Sequence, residues 1–266
     1  MGVSGRIQAL ARKTGWAITA RPAPIAWPGG VISFTFDDFP KSALVTGGGI
    51  LERYGSRGTY YAALKLAATT DVLGPMFDGE DVRAAHDVGH EIACHTYTHL
   101  NCSHAARRAI LAEVRENQAA LSALIEGFTP TNFAYPFGAV SLAAKLTLGA
   151  RFSSCRGIRP GINRGTVDLA DLLGTQVYAT NFDEFRIRRL IDQNRSVDGW
   201  LIFYTHDVAE KPSPFGCKPR QLERIVAYAA RSATILPVRD VVAKVSRCSR
   251  AYHFYTKIGG PSPNEA

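Results

Sequence analysis

Cysteine is scarce in this chain: Cys94, Cys102, Cys155, Cys217 and Cys248 are five in 266 residues, an odd number at irregular spacing. That pattern does not describe a disulfide framework. Long hydrophobic runs are also missing, and nothing approaches the roughly 20 apolar residues of a membrane-spanning helix. The first thirty residues carry Arg6, Arg12, Lys13 and Arg21 among apolar positions, with no continuous apolar core and no small-residue cleavage site. A cytoplasmic protein is the expectation. The segment from Arg6 to Ile18 has the character of a basic amphipathic helix, either lying peripherally on the inner membrane face or, more commonly, capping a barrel. No repeat or low-complexity block divides the chain, so residues 1–266 are expected to form one catalytic domain. Its motif-bearing core is expected from about 31 to 245, and Lys257 to Ala266, rich in Gly, Pro and Ser, is expected to form a loose tail.

The chain is 46% hydrophobic, enough to bury a sizeable core. Its formal net charge is +8, with local basic groups such as Arg186-Ile187-Arg188-Arg189. No motif accompanies that charge to place a helix or an aromatic platform on bases, so nucleic acid is not an expected partner. A phosphorylated or lipid-pyrophosphate-linked sugar suits it better, although an ordinary basic surface is its commoner origin. Nothing in the sequence sets an oligomeric state.

Short apolar runs alternate with longer amphipathic stretches, the pattern of βα units. Strands are expected at Val31 to Phe36, Gly58 to Ala63, Glu91 to Cys94, Asn132 to Tyr135, Arg151 to Ser154, Gln176 to Ala179, Leu201 to Thr205 and Thr234 to Leu236. Helices are expected at Ala43 to Tyr54, Ala105 to Ile125, Phe185 to Asn194 and Arg220 to Ala230. This alternation predicts an α/β fold, a parallel barrel-like sheet wrapped by helices, with catalytic groups on loops at the carboxyl ends of the strands. Asp37-Asp38, His95 with His99, Pro136 to Gly138 and His206 all fall at such ends.

Each motif has a bland explanation when taken alone. Asp is common in turns, a His-x-x-x-His pair in a loop is usually held by ordinary hydrogen bonds, and a single histidine after a strand is a frequent structural feature. Together they supply what a hydrolytic metal site needs. Two adjacent carboxylates repel each other unless a cation binds one of them, and Asp38, His95 and His99 provide three ligands with a position left open. Imidazole nitrogen favours zinc, or cobalt or nickel, over magnesium. Asp37 remains to accept a proton from water, and His206 to protonate a departing amine. A rival is a closed zinc site made with Cys94 and Cys102. Cys94 adjoins His95 on an extended segment and so points to the opposite face, which makes it a core residue.

In order and context, Thr35-Phe36-Asp37-Asp38, His95-Thr96-Tyr97-Thr98-His99 and Tyr204-Thr205-His206-Asp207 resemble motifs of the carbohydrate esterase family 4 polysaccharide deacetylases, which share the NodB homology domain. The resemblance implies a distorted (β/α) barrel, Asp37 as base, Asp38, His95 and His99 as metal ligands, and an acetamido sugar in a glycan or its precursor as substrate. Phe133-Ala134-Tyr135-Pro136-Phe137-Gly138 looks like the third motif in the form of the poly-N-acetylglucosamine deacetylase branch, with Ala134 where many members carry an arginine. By this resemblance Tyr135, Pro136, Phe137 and Gly138 contact substrate, and the Phe137 amide serves the oxyanion. Arg156, Arg159 or Arg164 is then needed to replace the missing guanidinium. The family's Asp-Trp motif is absent at its usual distance, because Trp200 of Asp198-Gly199-Trp200 reads as the start of a strand. Asp183 or Asp207 is left to orient His206. Tyr204 replaces a leucine beside the pocket for the acetyl methyl. Two other functions are compatible with these departures: hydrolysis of a non-sugar amide or ureide, and a non-catalytic glycan-binding module of the same fold.

Overall fold

The computed structural model describes residues 15–246. Most of the segment from Arg6 to Ile18, Cys248 and the tail from Lys257 lie outside the described residues. The strands are β1 (Pro22–Ile25), β2 (Val31–Asp37), β3 (Thr59–Ala62), β4 (Thr70–Asp71), β5 (Gly74–Pro75), β6 (Glu91–Cys94), β7 (Asn132–Ala134), β8 (Ser154–Arg156), β9 (Gly165–Asp168), β10 (Thr175–Gln176), β11 (Trp200–Thr205) and β12 (Thr234–Ile235). Around them lie α1 (Gly49–Arg53), α2 (Gly79–Asp87), α3 (Arg107–Leu124), α4 (Leu142–Gly149), α5 (Glu184–Ser196) and α6 (Pro219–Ser232).

Eight strands form one parallel sheet in the order β10-β11-β2-β3-β6-β7-β8, with β12 alongside the first residues of β2. A segment that changes partners closes the ring. Leu172 bridges Arg156 of β8, and three residues later Thr175 pairs with Phe203 of β11. The result is a distorted (β/α) barrel. Away from it, β1 pairs antiparallel with β9, and β4 with β5.

All seven residues of β2 are buried, as required of a parallel strand covered on both faces. Ile32, Phe34 and Phe36 join the core cluster beneath the helices. Their neighbours Ser33, Thr35 and Asp37 therefore project to the opposite face, the barrel interior. Ala43 of the helical segment Ala43–Gly48 and Ile50 and Leu51 of α1 belong to this same core cluster. Gly47 and Gly48 permit the approach, since a Cβ on either would lie 2.8 Å from the Phe36 ring or 2.7 Å from the Tyr60 hydroxyl.

A buried polar network closes the amino ends of the strands. The Glu91 carboxylate accepts from Thr59 Oγ1 at 2.8 Å, Asn132 Nδ2 at 2.6 Å and the Arg239 amide at 2.8 Å. Ser154 Oγ donates to Asn132 Oδ1 at 2.7 Å, which ties the first residues of β6, β7 and β8 together.

The structure corrects several sequence expectations. The strand expected at Arg151 to Ser154 is shifted to Ser154–Arg156, because Arg151 and Phe152 still donate to the Leu148 carbonyl at the end of α4. The run from Gln176 to Ala179 is strand only at its start and then turns into a 3₁₀ segment, Ala179–Asn181. Helices α2 and α4 were not anticipated. The start of α2 has a local signal in Asp78 and Asp81, each accepting from the other's backbone amide, an Asp-x-x-Asp form of the capping box.

Candidate active site

Asp37 ends β2 on its interior face. Asp38 and Phe39 then both take the left-handed conformation, with φ of 61°. This turn sets Asp38 at the barrel mouth beside Asp37. Across the mouth, His95 follows β6, and Thr96 and His99 are also left-handed at φ 61° and 59°. Their loop is held by Glu113 of α3, whose carboxylate accepts from the amides of Tyr97 and Thr98 at 2.9 and 2.7 Å and from the Thr98 hydroxyl at 2.9 Å. Sequence reasoning did not find Glu113, because nothing local marks one acidic helix residue among several.

Asp38 Oδ1 lies 3.2 Å from His99 Nε2 and 3.6 Å from His95 Nε2, while Asp38 Oδ2 lies 3.8 Å from His206 Nε2. One ligand atom each from Asp38, His95 and His99 falls within 4.8 Å of the others. Among the described residues, buried Asp38 Oδ1 has no hydrogen-bond partner. Burial pushes the Asp38 carboxyl up to about 6, Asp37 adds to the rise and His206 opposes it. For the same reason, burial first and then the neighbouring His99, the His95 imidazole is pushed down to about 3; burial also lowers His99. His95 Nδ1 lies 2.8 Å from the Ala134 carbonyl, which as acceptor fixes the tautomer that leaves Nε2 facing Asp38. Neutral imidazoles and an orphaned carboxylate oxygen converging on one point fit a divalent cation. Cys94 and Cys102 do not join them. Both are buried in an apolar cluster with Phe133 and Cys155, and burial pushes each thiol up to about 12.

Arg156, of the three arginines open from sequence, reaches the site. Its Nη2 donates to Asp37 Oδ1, and its guanidinium lies between the rings of Tyr61 and Tyr204 at 5.0 and 4.8 Å. Arg159 pairs with Asp171 at 2.8 Å instead, and Arg164 is exposed. Burial works to raise the Asp37 pKa, but Arg156, His95 and His206 outweigh it and hold the carboxyl below its ordinary value. Arg156 thus supplies from β8 a guanidinium that Ala134 of β7 lacks. Tyr204 is correspondingly a buried platform for that guanidinium.

His206 follows β11, and its Nδ1 lies 3.2 Å from the Phe215 carbonyl, with Nε2 toward Asp38. Neither aspartate expected to orient it does so. Asp183 accepts from the Arg186 amide as the cap of α5, and Asp207 accepts from the amide and hydroxyl of Ser213. In the third motif, Tyr135 is also displaced from its expected role, since its buried hydroxyl donates to the Ala170 carbonyl at 2.9 Å. Pro136 is buried, and Phe137 turns left-handed at φ 59° with its exposed ring 4.3 Å from that of His99. Gly138, also left-handed at φ 61°, admits no side chain, because a Cβ there would lie 2.2 Å from Ile158.

Residues 26–150 match the family model described as Polysaccharide deacetylase. Over 113 residues, 42% of this chain, the sequence is 28% identical to a probable peptidoglycan-N-acetylglucosamine deacetylase of Arthroderma benhamiae, and that stretch spans only 24% of the relative's length. The fold is similar to the chitin deacetylase of Colletotrichum lindemuthianum, with a TM-score of 0.55 at 15% identity over 82% of this chain and 89% of that one. It is also similar to a family 4 acetyl xylan esterase from Clostridium thermocellum solved with a cobalt ion, with a TM-score of 0.52 at 18% identity over 87% and 93% of the two chains. At such identities the two structures speak for the fold alone. The family match takes in residues 26–150, just under half of the chain, and the two structures agree with it in fold.

Proposed function

We propose that this chain is a metal-dependent N-deacetylase acting on an acetamido sugar of a glycan or glycan precursor. The observation that carries the reading is the pairing of two unlike carboxylates at one mouth. Asp38 presents an orphaned oxygen to the two imidazoles of His95 and His99, whereas Asp37 is held ionised by Arg156. A divalent cation, zinc or in its place cobalt or nickel, would be held by Asp38, His95 and His99, and would supply Lewis acidity toward the carbonyl and a lowered pKa for water.

Asp37 takes a proton from the attacking water as the new carbon–oxygen bond forms. The developing oxyanion is met by the Phe137 amide. His206, kept in register by the Phe215 carbonyl, gives a proton from Nε2 to the sugar nitrogen as the carbon–nitrogen bond breaks. Acetate and a free amine result. The Arg156 contact to Asp37 favours catalysis over a purely binding module, because it supplies the guanidinium whose absence from the third motif motivated that alternative.

The relative from A. benhamiae is named for an N-acetyl substrate and the C. thermocellum structure for an acetyl ester, so acyl chemistry is common to both names. The test is acetate release from N-acetylglucosamine oligomers, with an acetylated xylan and a cyclic ureide as competing substrates. Release from the first that ends with a chelator and returns with zinc or cobalt supports the reading. Turnover of only the ureide or only the ester would replace it. The proposal places the reaction in the cytoplasm, on a precursor before export, which fractionation of the producing cell tests.

A further inference from the structure

The basic group Arg186-Ile187-Arg188-Arg189 has no part in the chemistry described so far. It lies on the first turns of α5, where two of its arginines face a cavity of about 1070 Å³. One wall of that cavity includes Ile158, the residue packed against Gly138. Another includes Tyr204 and Tyr178, and the Tyr178 ring is 6.0 Å from that of His206. The cavity therefore borders both the Phe137-Gly138 turn and the proton donor. A substrate whose acetamido group is at the metal ligands can extend the rest of its body into this space.

The charge inside is specific. Among the described residues, Asp183, Arg186 and Arg189 are the ionisable side chains lining the cavity apart from the two tyrosines. The Asp183 carboxylate is engaged by the Arg186 amide at 3.0 Å. Glu184, the adjacent acid, is taken by Arg188 at 2.6 Å and by Arg224 at 2.9 Å. Arg186 and Arg189 are left without an ion-pair partner among the described residues, and Arg189 only stacks near the exposed Phe185 ring at 5.8 Å. Two unpaired guanidinia at i and i+3 share one helix face, the kind of donor pair that recognises a phosphoryl group.

Resting on the deacetylase reading, we propose that this cavity is an anion subsite. It binds a phosphate or diphosphate carried by the acetamido sugar, so that the preferred substrate is a glycosyl phosphate rather than a neutral polymer. A nucleotide and a lipid carrier share this chemistry, and the comparison of substrates separates them.

Calorimetry of the full chain measures binding independently of turnover. At low salt, N-acetylglucosamine 1-phosphate should bind at least about 10-fold more tightly than N-acetylglucosamine, given that charge-assisted hydrogen bonds contribute more than neutral ones. The double variant Arg186→Gln/Arg189→Gln should lose that advantage and leave the neutral sugar unchanged, and added salt should erode it in the parent protein. Both arginines are exposed, so folding is not at risk, and circular dichroism checks this. Equal binding of the two sugars, or a phosphate advantage that survives in the double variant, overturns the subsite. Phosphate-dependent binding without acetate release from any substrate keeps the subsite and removes the deacetylase reading. Among substrates that do turn over, a higher kcat/KM for a uridine diphosphate-linked than for a farnesyl diphosphate-linked N-acetylglucosamine assigns the carrier to nucleotide, and the reverse order to lipid.

Discussion

The two ends of the same barrel strands are built on opposite terms. At the amino ends, Thr59, Glu91, Asn132 and Ser154 form a network in which each polar side chain meets a partner at ordinary distance. At the carboxyl ends, Asp38 Oδ1, Tyr61 Oη and Arg156 Nε are buried without one among the described residues. Backbone strain has the same polarity. Of the seven non-glycine residues with positive φ among the described residues, five are Asp38, Phe39, Thr96, His99 and Phe137, all at the mouth. Such conformations cost about 1–3 kcal/mol each and persist only where the surroundings enforce them. The balance is a division of labour: at the amino ends only Asn194 Oδ1, among the described residues, is buried without a partner, whereas three such atoms gather at the mouth.

The largest expected effect is at the mouth. Asp37→Asn should lower acetate release by about 10² to 10⁴-fold, the usual worth of a general base, well beyond what its loss of the buried Arg156 ion pair does to the folded fraction. A variant that retains activity removes Asp37 as the base. At the other end the signature should invert. Glu91→Ala strands the Thr59, Asn132 and Arg239 donors, and at about 1–3 kcal/mol for each buried group left unpaired it should cost several kcal/mol of stability. Its folded fraction should still turn over substrate at the parental rate. Chemical denaturation paired with single-turnover rates makes this contrast measurable, and a Glu91→Ala protein that is stable but inactive would break it.

Arg156→Gln sits between the two. Loss of the guanidinium should cost about 10 to 100-fold in rate, as for other groups that orient a metal site from behind. Arg156→Lys should recover only part, because an ammonium cannot fill the planar slot between the Tyr61 and Tyr204 rings. Full recovery with lysine, read as kcat at saturating metal, would mean that charge alone suffices.

The smallest effect concerns pH and again belongs to the amino end. Burial raises the Glu91 pKa above its ordinary 4.5, against the opposing hydrogen bonds from Asn132, the Arg239 amide and Thr59. Protonation is thus easier in the folded state than in the unfolded one. This contribution to stability is fully present below the unfolded value and is lost as pH rises through the folded one. The stability of the parent relative to Glu91→Gln should therefore fall as pH rises from below the ordinary carboxylate value through the raised one. A difference that is constant with pH, or that grows, would contradict the raised pKa.

The site was legible from sequence where function depends on the ends of strands. Asp37, Asp38, His95 and His206 follow β-rich runs at β2, β6 and β11, and a parallel barrel gathers such positions at one mouth. What failed depended on register between distant strands or on loop carbonyls. Three arginines were open as the partner of Asp37, and only the pairing of Arg156 with Leu172, beside the closing segment, selects one. The partner of His206 was sought among aspartates, whereas a backbone carbonyl at Phe215 fills the role, and a backbone group leaves no trace in residue type. Tyr135 looked like a substrate contact by its motif, yet its side chain turns to Ala170 because successive residues of an extended segment face opposite ways.

By itself, the sequence determined the parallel α/β class and the places where β2, β6 and β11 end, because alternation and abrupt strand ends are local properties of the chain. Only the tertiary structure decided how the ring closes through residues 172–176, which arginine holds Asp37, and that Arg186 and Arg189 border a cavity beside His206. Those outcomes are set by contacts between segments far apart in the chain, and such contacts exist only once the barrel has brought the segments together.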